Sequence, residues 1–285
     1  MSQLQELIKK LDINEISPMS YLGKNMDIGS PQIYGGHVVA QAIVAAYRSV
    51  EAPKYLHSLH SYFLHPGNNL LDIEYEVEVV KNGRSFDVRR VYARQKDRII
   101  FLLAASFHIP EKGVQHQALM PNVTSPEKLN SFPEMFSEFA AKFNIKPKGI
   151  FSDESPIIFH PGDHYNPFNP GKRPARNHTW FKANGMAPKD PESQLALLAY
   201  ASDFNLLVTS LMPHDISLFT TNMRIASLDH AMWIHRQPNL NEWLLYTVES
   251  PNSGNARGFC QGRIFTRDGT LIASVAQEGL IRKID

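Results

Sequence analysis

Cysteine is almost missing from this sequence, since Cys260 is the one cysteine among 285 residues. No disulfide can form within the chain, which is usual for a protein of a reducing compartment. We expect no secretory leader either, because residues 1–14 mix charged and amide side chains with leucine and isoleucine. That stretch predicts a short amphipathic helix, and the two absences together predict a cytoplasmic protein.

Long apolar runs and an excess of one charge are also missing. The longest plainly apolar run, residues 99–107, fits a buried strand and is too short to cross a membrane. Lysine and arginine number 29 against 28 aspartates and glutamates, so no overall field attracts nucleic acid or an anionic membrane. We therefore expect no nucleic-acid partner and no membrane insertion.

Motifs that hold cofactors are missing too. The sequence has no glycine-rich loop that cradles phosphate and no dinucleotide fingerprint. The pairs His57/His60 and His230/His235 lack the cysteine or carboxylate company, at suitable spacing, that a zinc site needs. We expect neither a cofactor nor a metal.

Proline is distributed unevenly and divides the chain. Of the 19 prolines, 10 lie between Pro110 and Pro174, where long helices and central strands cannot persist. This stretch predicts an irregular connection, residues 111–176, with one helix at 133–143. It separates an N-terminal domain, residues 1–110, from a C-terminal domain, residues 177–285.

The two halves have the same predicted order of elements, a long apolar helix followed by antiparallel strands. The helices fall at 37–50 and 192–211, and the later strands include 71–80, 86–94, 99–109, 224–235, 242–249, 256–266 and 270–281. The runs His60-Ser-Tyr-Phe-Leu-His and His230-Ala-Met-Trp-Ile-His recur 170 residues apart, which favours an internal duplication. The pattern predicts an α+β fold in which each sheet wraps one helix and the two sheets join.

Asp203 is the most informative single residue, because nearly all its neighbours in residues 195–207 are apolar. A buried carboxylate is costly unless it is hydrogen-bonded or paired. Asp203 is therefore either a structural aspartate or a base that orients water in a cleft. Gln277 interrupts an apolar strand and is either a surface residue or part of the same site.

Ser227, Asp229 and His230 lie close together and invite comparison with a catalytic triad. We do not expect one, because a regular strand places Ser227 and His230 on opposite faces. The chain also lacks a Gly-x-Ser-x-Gly elbow that would expose a serine nucleophile. Cys260 lies within a strand and is expected to be a small core residue.

Several ordered motifs together resemble the acyl-CoA thioesterase II family, which has the double-hotdog fold. The resemblance covers almost the full length, apart from the proline-rich middle. The matching motifs are Tyr34-Gly-Gly-His-Val-Val-Ala-Gln-Ala, His57-Ser-Leu-His-Ser-Tyr-Phe-Leu-His-Pro-Gly, Gly83-Arg-Ser-Phe-Asp-Val-Arg-Arg, Tyr200-Ala-Ser-Asp, Ser227-Leu-Asp-His-Ala-Met-Trp, Asn241-Glu-Trp-Leu-Leu-Tyr and Ala276-Gln-Glu-Gly.

The resemblance implies hydrolysis of medium- to long-chain acyl-CoA in fatty acid metabolism. It carries the family's catalytic aspartate, hydroxyl residue and glutamine over to Asp203, Ser227 and Gln277. Serine stands where some members have threonine, which keeps the hydroxyl group. By the same resemblance, water attacks the thioester directly, Arg257 is a candidate for the CoA phosphates, and the protein is a homo-oligomer, a dimer or a tetramer.

Two other functions remain open at this stage. A hotdog hydratase or dehydratase acting on CoA esters would use a histidine, for which His57 or His60 could serve. A non-catalytic acyl-CoA-binding protein would bind the same ligand without turnover. Asp203, Ser227 and Gln277 argue against both, because neither function needs that set of polar groups in an apolar setting.

Overall fold

The computed structural model describes residues 1–30, 32–143, 149–162, 171–216 and 222–284. The helices in these ranges are α1 (Gln3–Leu11), α2 (Gly35–Arg48), α3 (Phe132–Phe143) and α4 (Pro191–Ser202). The strands are β1 (Asn14–Ser17), β2 (Ser20–Gly23), β3 (Tyr55–Phe63), β4 (Ile73–Asn82), β5 (Phe86–Gln95), β6 (Arg98–His108), β7 (Ile157–Pro161), β8 (Arg176–Ala183), β9 (Met223–Ser227), β10 (Asp229–Ile234), β11 (Leu244–Gly254), β12 (Arg257–Thr266) and β13 (Leu271–Lys283).

These strands form one continuous antiparallel sheet. Its order is β1-β2-β4-β5-β6-β3-β10-β13-β12-β11-β8-β7, and β9 also pairs with β13. The two halves meet where β3 pairs with β10, with Ser61 opposite His230. The predicted α+β fold, with two helix-wrapping sheets joined edge to edge, is confirmed.

The long helices α2 and α4 lie inside the curved sheet and pack against each other. The N-terminus of α2 lies beside the C-terminus of α4, where the Tyr34 hydroxyl donates to the Tyr200 carbonyl oxygen at 2.8 Å. Gly36 permits this approach, because a Cβ atom there would lie 2.5 Å from the same carbonyl oxygen. At the opposite end, Arg48 Nη2 lies 3.0 Å from Glu192 Oε1.

The helix predicted over residues 192–211 is wrong at its C-terminal end. The α-helix ends at Ser202, Asp203 is its C-cap, and Asn205 has a φ of +64°. The apolar residues that follow form a short 3₁₀-helix, Leu207–Ser210, that packs under the sheet. The stretch Pro191–His214 is long and apolar enough to cross a membrane, but 83% of its apolar window is buried in the protein. It is the core helical stretch of the second half.

The histidine correspondence at a spacing of 170 residues is not a structural equivalence. His60 is exposed on the outer face of β3, whereas His230 is fully buried on the inner face of β10. The architectural repeat nevertheless holds, since each half has one long helix wrapped by antiparallel strands. In the sheet the residue opposite His230 is Ser61, not His60.

The connecting segment contains more regular structure than the irregular connection predicted for residues 111–176. Helix α3 begins at Phe132, close to the predicted 133–143. Strand β7 extends the second sheet by pairing with β8, with Phe159 opposite Phe181. The Trp180 indole N–H donates to the Thr124 carbonyl oxygen at 2.8 Å. The segment therefore packs on the second half, and the three-part division of the chain stays a prediction.

His37 in α2 predicts a pH-dependent stability. Burial lowers its pKa to about 4, and its Nε2 lies 3.0 Å from the Lys24 carbonyl oxygen. Because the folded protein favours the neutral ring, stability present above the unfolded pKa of about 6.5 is lost as the pH falls towards 4. The loss in the free energy of unfolding that His37 causes is about 3 kcal/mol at pH ~4.

Urea unfolding of the wild type and of His37→Gln at pH ~7 and pH ~4 measures this share. Glutamine can keep a donor near the Lys24 carbonyl oxygen but does not titrate. We expect the variant to lose about 3 kcal/mol less than the wild type between the two pH values. Equal losses in the two proteins would show that His37 is not responsible.

Candidate active site

Asp203 lies at the C-terminus of α4, and its side chain is 5% exposed. Its Oδ1 accepts a hydrogen bond of 2.7 Å from Gln277 Nε2. No lysine or arginine in the described part of the chain forms an ion pair with it. The carboxylate is therefore held by a neutral donor, which leaves it less neutralised than a salt-bridged aspartate.

Gly35, the first residue of α2, lies against the second carboxylate oxygen. A Cβ atom at Gly35 would lie 2.7 Å from Asp203 Oδ2 and 2.9 Å from Phe63 Cζ. The first N–H groups of a helix have no partner within the helix and carry its positive dipole end. The start of α2 therefore brings backbone donors and a favourable field to Asp203.

Gln277 lies on the inner face of β13, where it is 1% exposed. Alternate residues Val275, Gln277 and Gly279 are all buried, as expected for the side of a strand that faces the core. Its Nε2 donates to Asp203, and its Oε1 has no hydrogen-bond partner in the structure. The surface interpretation of Gln277 is thus excluded by its burial.

A β-bulge separates β9 from β10 opposite Gln277. Ser227 lies opposite Gly279 and Ala231 opposite Ala276, so one strand advances four residues while its partner advances three. The bulge is closed by Asp229, whose carboxylate accepts the Glu278 N–H at 2.6 Å. A bulge shifts the alternation of side chains by one residue.

The bulge places Ser227 and His230 on the same face of the sheet. Ser227 shares the inner face of Gly279, and His230 is buried on that face. The prediction that they lie on opposite faces is wrong, because it assumed a regular strand. Ser227 lies on the strand beside Gln277, but within the described residues it forms no hydrogen bond with Asp203 or Gln277.

His230, for which the sequence analysis rejected a triad role and a metal role, is a residue of this site. Its Nε2 lies 3.0 Å from Ser202 Oγ, and its Nδ1 lies 4.0 Å from Asp203 Oδ1. Burial lowers the pKa of His230, and the nearby Asp203 carboxylate partly opposes that effect. Only the bulge, which sequence patterns do not reveal, brings this ring to Asp203.

The other residues considered from the sequence lie elsewhere. His57 Nε2 lies 2.8 Å from Ser106 Oγ, and His60 packs edge-on against Trp233. Cys260 is fully buried, and burial raises the pKa of its thiol to about 11, which fits the predicted core residue. Across the described ranges, no group of three or more histidine, cysteine or acidic residues could hold a metal ion.

A cavity of about 880 Å³ lies between the connecting segment and the start of β8. None of Asp203, Ser227 and Gln277 lines it, so its size is no evidence about their chemistry. Arg257 also lies apart from the carboxylate, with its Nε 2.9 Å from Glu278 Oε1. The candidate site is therefore defined by the buried polar groups and not by cavity volume.

The bulge makes a prediction for Asp229. Alanine at this position leaves the Glu278 N–H without its acceptor, which we expect to lower the free energy of unfolding by about 1–3 kcal/mol. Asparagine keeps an oxygen in the same place, so Asp229→Asn is the matched control. Urea unfolding of both variants measures the difference, and equal stability of the two would contradict this role.

The chain has two units, each with one helix wrapped by an antiparallel sheet, and the two sheets join edge to edge. This architecture defines a double-hotdog protein, and here it contains a buried aspartate–glutamine pair. Solved structures support the fold. An acyl-CoA thioesterase II, TesB2 from Mycobacterium marinum, matches 97% of this chain and 98% of its own, with a TM-score of 0.80 and 33% identity. A hotdog-fold protein of unknown function from Alicyclobacillus acidocaldarius matches with a TM-score of 0.79 at 15% identity, covering 98% of this chain and 99% of its own.

Sequence comparisons give the family. Residues 147–280 match a model described as acyl-CoA thioesterase, and residues 23–108 match one for the acyl-CoA thioesterase N-terminal domain. Acyl-CoA thioesterase 2 of Haemophilus influenzae is 41% identical over 98% of both chains. Human acyl-coenzyme A thioesterase 8 is 33% identical over 95% of this chain and 87% of its own. The chain belongs to the acyl-CoA thioesterase family, and the predicted resemblance is confirmed.

Proposed function

We propose that this chain hydrolyses medium- to long-chain acyl-CoA to free fatty acid and CoA, by water attack activated by Asp203 with Ser227 and Gln277. Membership of the acyl-CoA thioesterase family supports hydrolysis of acyl-CoA thioesters. The observation that carries the assignment of residues is the 2.7 Å hydrogen bond from Gln277 to the buried Asp203 carboxylate. A protein that only binds its ligand has no need of this pair in an apolar interior.

Asp203 has the role of general base in this mechanism. It takes a proton from a water molecule as the water oxygen attacks the thioester carbonyl carbon. Gln277 Nε2 fixes the carboxylate through Oδ1, which leaves Oδ2 to face the start of α2. The Ser227 hydroxyl, on the neighbouring strand, helps to orient the water.

The first turn of α2 supplies the electrostatic part of the mechanism. The backbone N–H groups of Gly35 and Gly36 are the natural donors for the oxygen that becomes negative in the transition state. They lie beside Asp203 because Gly35 has no side chain to separate them. Collapse of the tetrahedral intermediate breaks the carbon–sulfur bond and releases the CoA thiolate, which takes up a proton.

The acyl chain needs an apolar surface beside the carboxylate. Phe63 packs against Gly35, and Phe204 follows Asp203 directly. The Phe204 ring lies 4.2 Å from that of Phe159 and 5.4 Å from that of Phe132, measured between centroids. These rings supply an apolar surface that suits a hydrocarbon chain. Arg257 stays a candidate for the CoA phosphates, although it must exchange Glu278 for them.

The hydratase alternative loses the two histidines on which it relied. His57 and His60 contact Ser106 and Trp233 and not the Asp203 site. His230 does lie beside Asp203, so the thiol-release assay below decides between hydrolysis and hydration. Dehydratase domains do resemble the chain, for example that of RzxB from Pseudomonas fluorescens with a TM-score of 0.51 at 12% identity, covering 92% of this chain. That likeness concerns the fold alone.

Free thiol release tests the proposal. The wild-type protein is mixed with short-, medium- and long-chain acyl-CoA and a thiol-reactive dye, without metal or nucleotide. We expect rapid release that is fastest for medium and long chains. Loss of 2-enoyl absorbance from an enoyl-CoA without thiol release would indicate hydration, and binding without either change would support a non-catalytic protein.

We also propose that the chain acts in the cytoplasm as a homo-oligomer, a dimer or a tetramer. Tyr62 and Trp233 are 55% and 37% exposed on the outer face where β3 meets β10, and such aromatic residues are common in interfaces. Light scattering at micromolar concentration tests the assembly. A monodisperse monomer would contradict it.

A further inference from the structure

The hydrogen bonds of His230 determine which of its ring nitrogens carries the proton. The Ser202 hydroxyl donates its hydrogen to the Ala199 carbonyl oxygen at 3.0 Å. Ser202 Oγ therefore accepts from His230 Nε2, 3.0 Å away. With the proton on Nε2, the opposite nitrogen of a neutral ring carries a lone pair.

That lone pair belongs to Nδ1, the nitrogen that faces Asp203. It lies 4.0 Å from Asp203 Oδ1, and it has no hydrogen-bond partner in the structure. Two acceptors this close cannot bond to each other until one of them is protonated. A movement of about 1 Å then gives a normal hydrogen bond, a tightening often seen when catalytic groups engage their substrate.

The surroundings leave Asp203 as the charged group that His230 faces. Tyr34 and Tyr246 lie near Asp203, and burial raises the pKa of both well above the usual value, so they stay neutral. From β3, the Ser61 hydroxyl donates to the His230 carbonyl oxygen and contributes no charge. A proton that reaches Asp203 has a neutral imidazole as its nearest titratable acceptor.

We propose that His230 is the proton-accepting partner of Asp203: it takes from Oδ1 the proton that Asp203 removes from the attacking water. The inference rests on the proposed role of Asp203 as base. Transfer creates an adjacent imidazolium and carboxylate, whose attraction offsets part of the cost of charging a buried ring. The Asp203 side chain is 5% exposed, so little solvent is available to take its proton directly.

The proton and bond changes balance. One water proton passes to Asp203 and then to His230 Nδ1 while the new carbon–oxygen bond forms. Collapse of the intermediate breaks the carbon–sulfur bond and gives a carboxylic acid and a thiolate. The thiolate takes the stored proton, and the carboxylic acid releases its own to solvent. His230 is neutral again for the next turnover.

The test compares His230→Gln with the wild type in the thiol-release assay over a range of pH. Glutamine keeps an amide donor for Ser202 Oγ and lacks the Nδ1 acceptor. We expect kcat to fall about 10²-fold with KM within about twofold. The acid limb of the kcat profile should move to lower pH, because two groups that share one proton hold it less strongly after one acceptor is removed.

Two outcomes would overturn the inference. If His230→Gln keeps activity within about threefold of the wild type while Asp203→Asn is inactive, Asp203 is still the base but His230 is not its proton-accepting partner. A lower kcat with an unmoved acid limb, in a variant of normal thermal stability, would reduce His230 to a structural role. An active Asp203→Asn variant would instead refute the role of Asp203 as base, on which the proposal for His230 rests.

The wild-type protein gives a second reading that does not depend on any variant folding. Nitrogen-15 NMR of the histidine rings reports which nitrogen is protonated. We expect His230 to be a neutral Nε2–H tautomer near neutral pH, with Nδ1 bare. An Nδ1–H tautomer would contradict the proposal, because Nδ1 could then not accept a proton.

Discussion

Replacing Asp203 with asparagine is expected to lower kcat for acyl-CoA hydrolysis by about 10²–10⁴-fold. Asparagine has nearly the same shape, and its side-chain oxygen can still accept the hydrogen bond that Gln277 Nε2 gives to Oδ1. What it loses is the ability to take a proton from water. The site should therefore keep its geometry and lose its base.

Thermal unfolding and KM are the controls for Asp203→Asn. Both should stay close to the wild-type values, because the variant removes a charge from a side chain that forms no ion pair with any lysine or arginine in the described ranges. Gln277→Leu complements it by leaving the carboxylate in place without its donor. Near-normal turnover of Asp203→Asn would refute the assignment of the base.

Adding one methyl group at Gly35 should also disable the enzyme. In Gly35→Ala the new Cβ atom would lie 2.7 Å from Asp203 Oδ2 and 2.9 Å from Phe63 Cζ, so at least one group must move. A displacement of about 1 Å in a catalytic group costs on the order of 10²-fold in rate. We expect such a fall in kcat/KM with the fold retained.

Gly254→Ala is the matched control for this steric argument. Gly254 ends β11, its φ lies outside the left-handed region, and nothing lies within 4 Å of an added Cβ atom. Its activity should equal that of the wild type in the same thiol-release assay. Equal activities for Gly35→Ala and Gly254→Ala would mean that the carboxylate does not depend on Gly35.

Local turn chemistry explains why most strands were predictable from the sequence. The Asp268-Gly269 pair between predicted strands 256–266 and 270–281 is a hairpin turn signal, and Gly269 has the positive φ, +90°, that such a turn requires. The alternation in residues 71–80 likewise predicted β4, which the structure places at Ile73–Asn82. These signals act over a few residues, so they survive without knowledge of the rest of the fold.

The end of α4 and the bulge could not be predicted in the same way. The apolar pattern continues past Ser202 because the 3₁₀-helix Leu207–Ser210 is as buried as the α-helix before it. The bulge depends on pairing between Ser227 and Gly279, 52 residues apart in sequence. A pattern along one strand carries no information about the register of its partner.

The residues of the candidate site were only partly predictable, for the same reason. Family resemblance nominated Asp203, Ser227 and Gln277, but the contact between Asp203 and Gln277 spans 74 residues and is visible only in the fold. His230 was missed because strand alternation, applied without a bulge, points it away from Ser227. Gly35 was quoted only as part of a motif, since its lack of a side chain matters through Asp203.

The antiparallel packing of α2 and α4 creates two helix junctions, one at each end of α2, and they contain different groups. At one, Asp203 of the second half meets Gly35 of the first, so each half supplies part of the candidate site. At the other, Arg48 and Glu192 form an ion pair. The two halves thus depend on each other at the first junction, because neither half contains both Asp203 and Gly35.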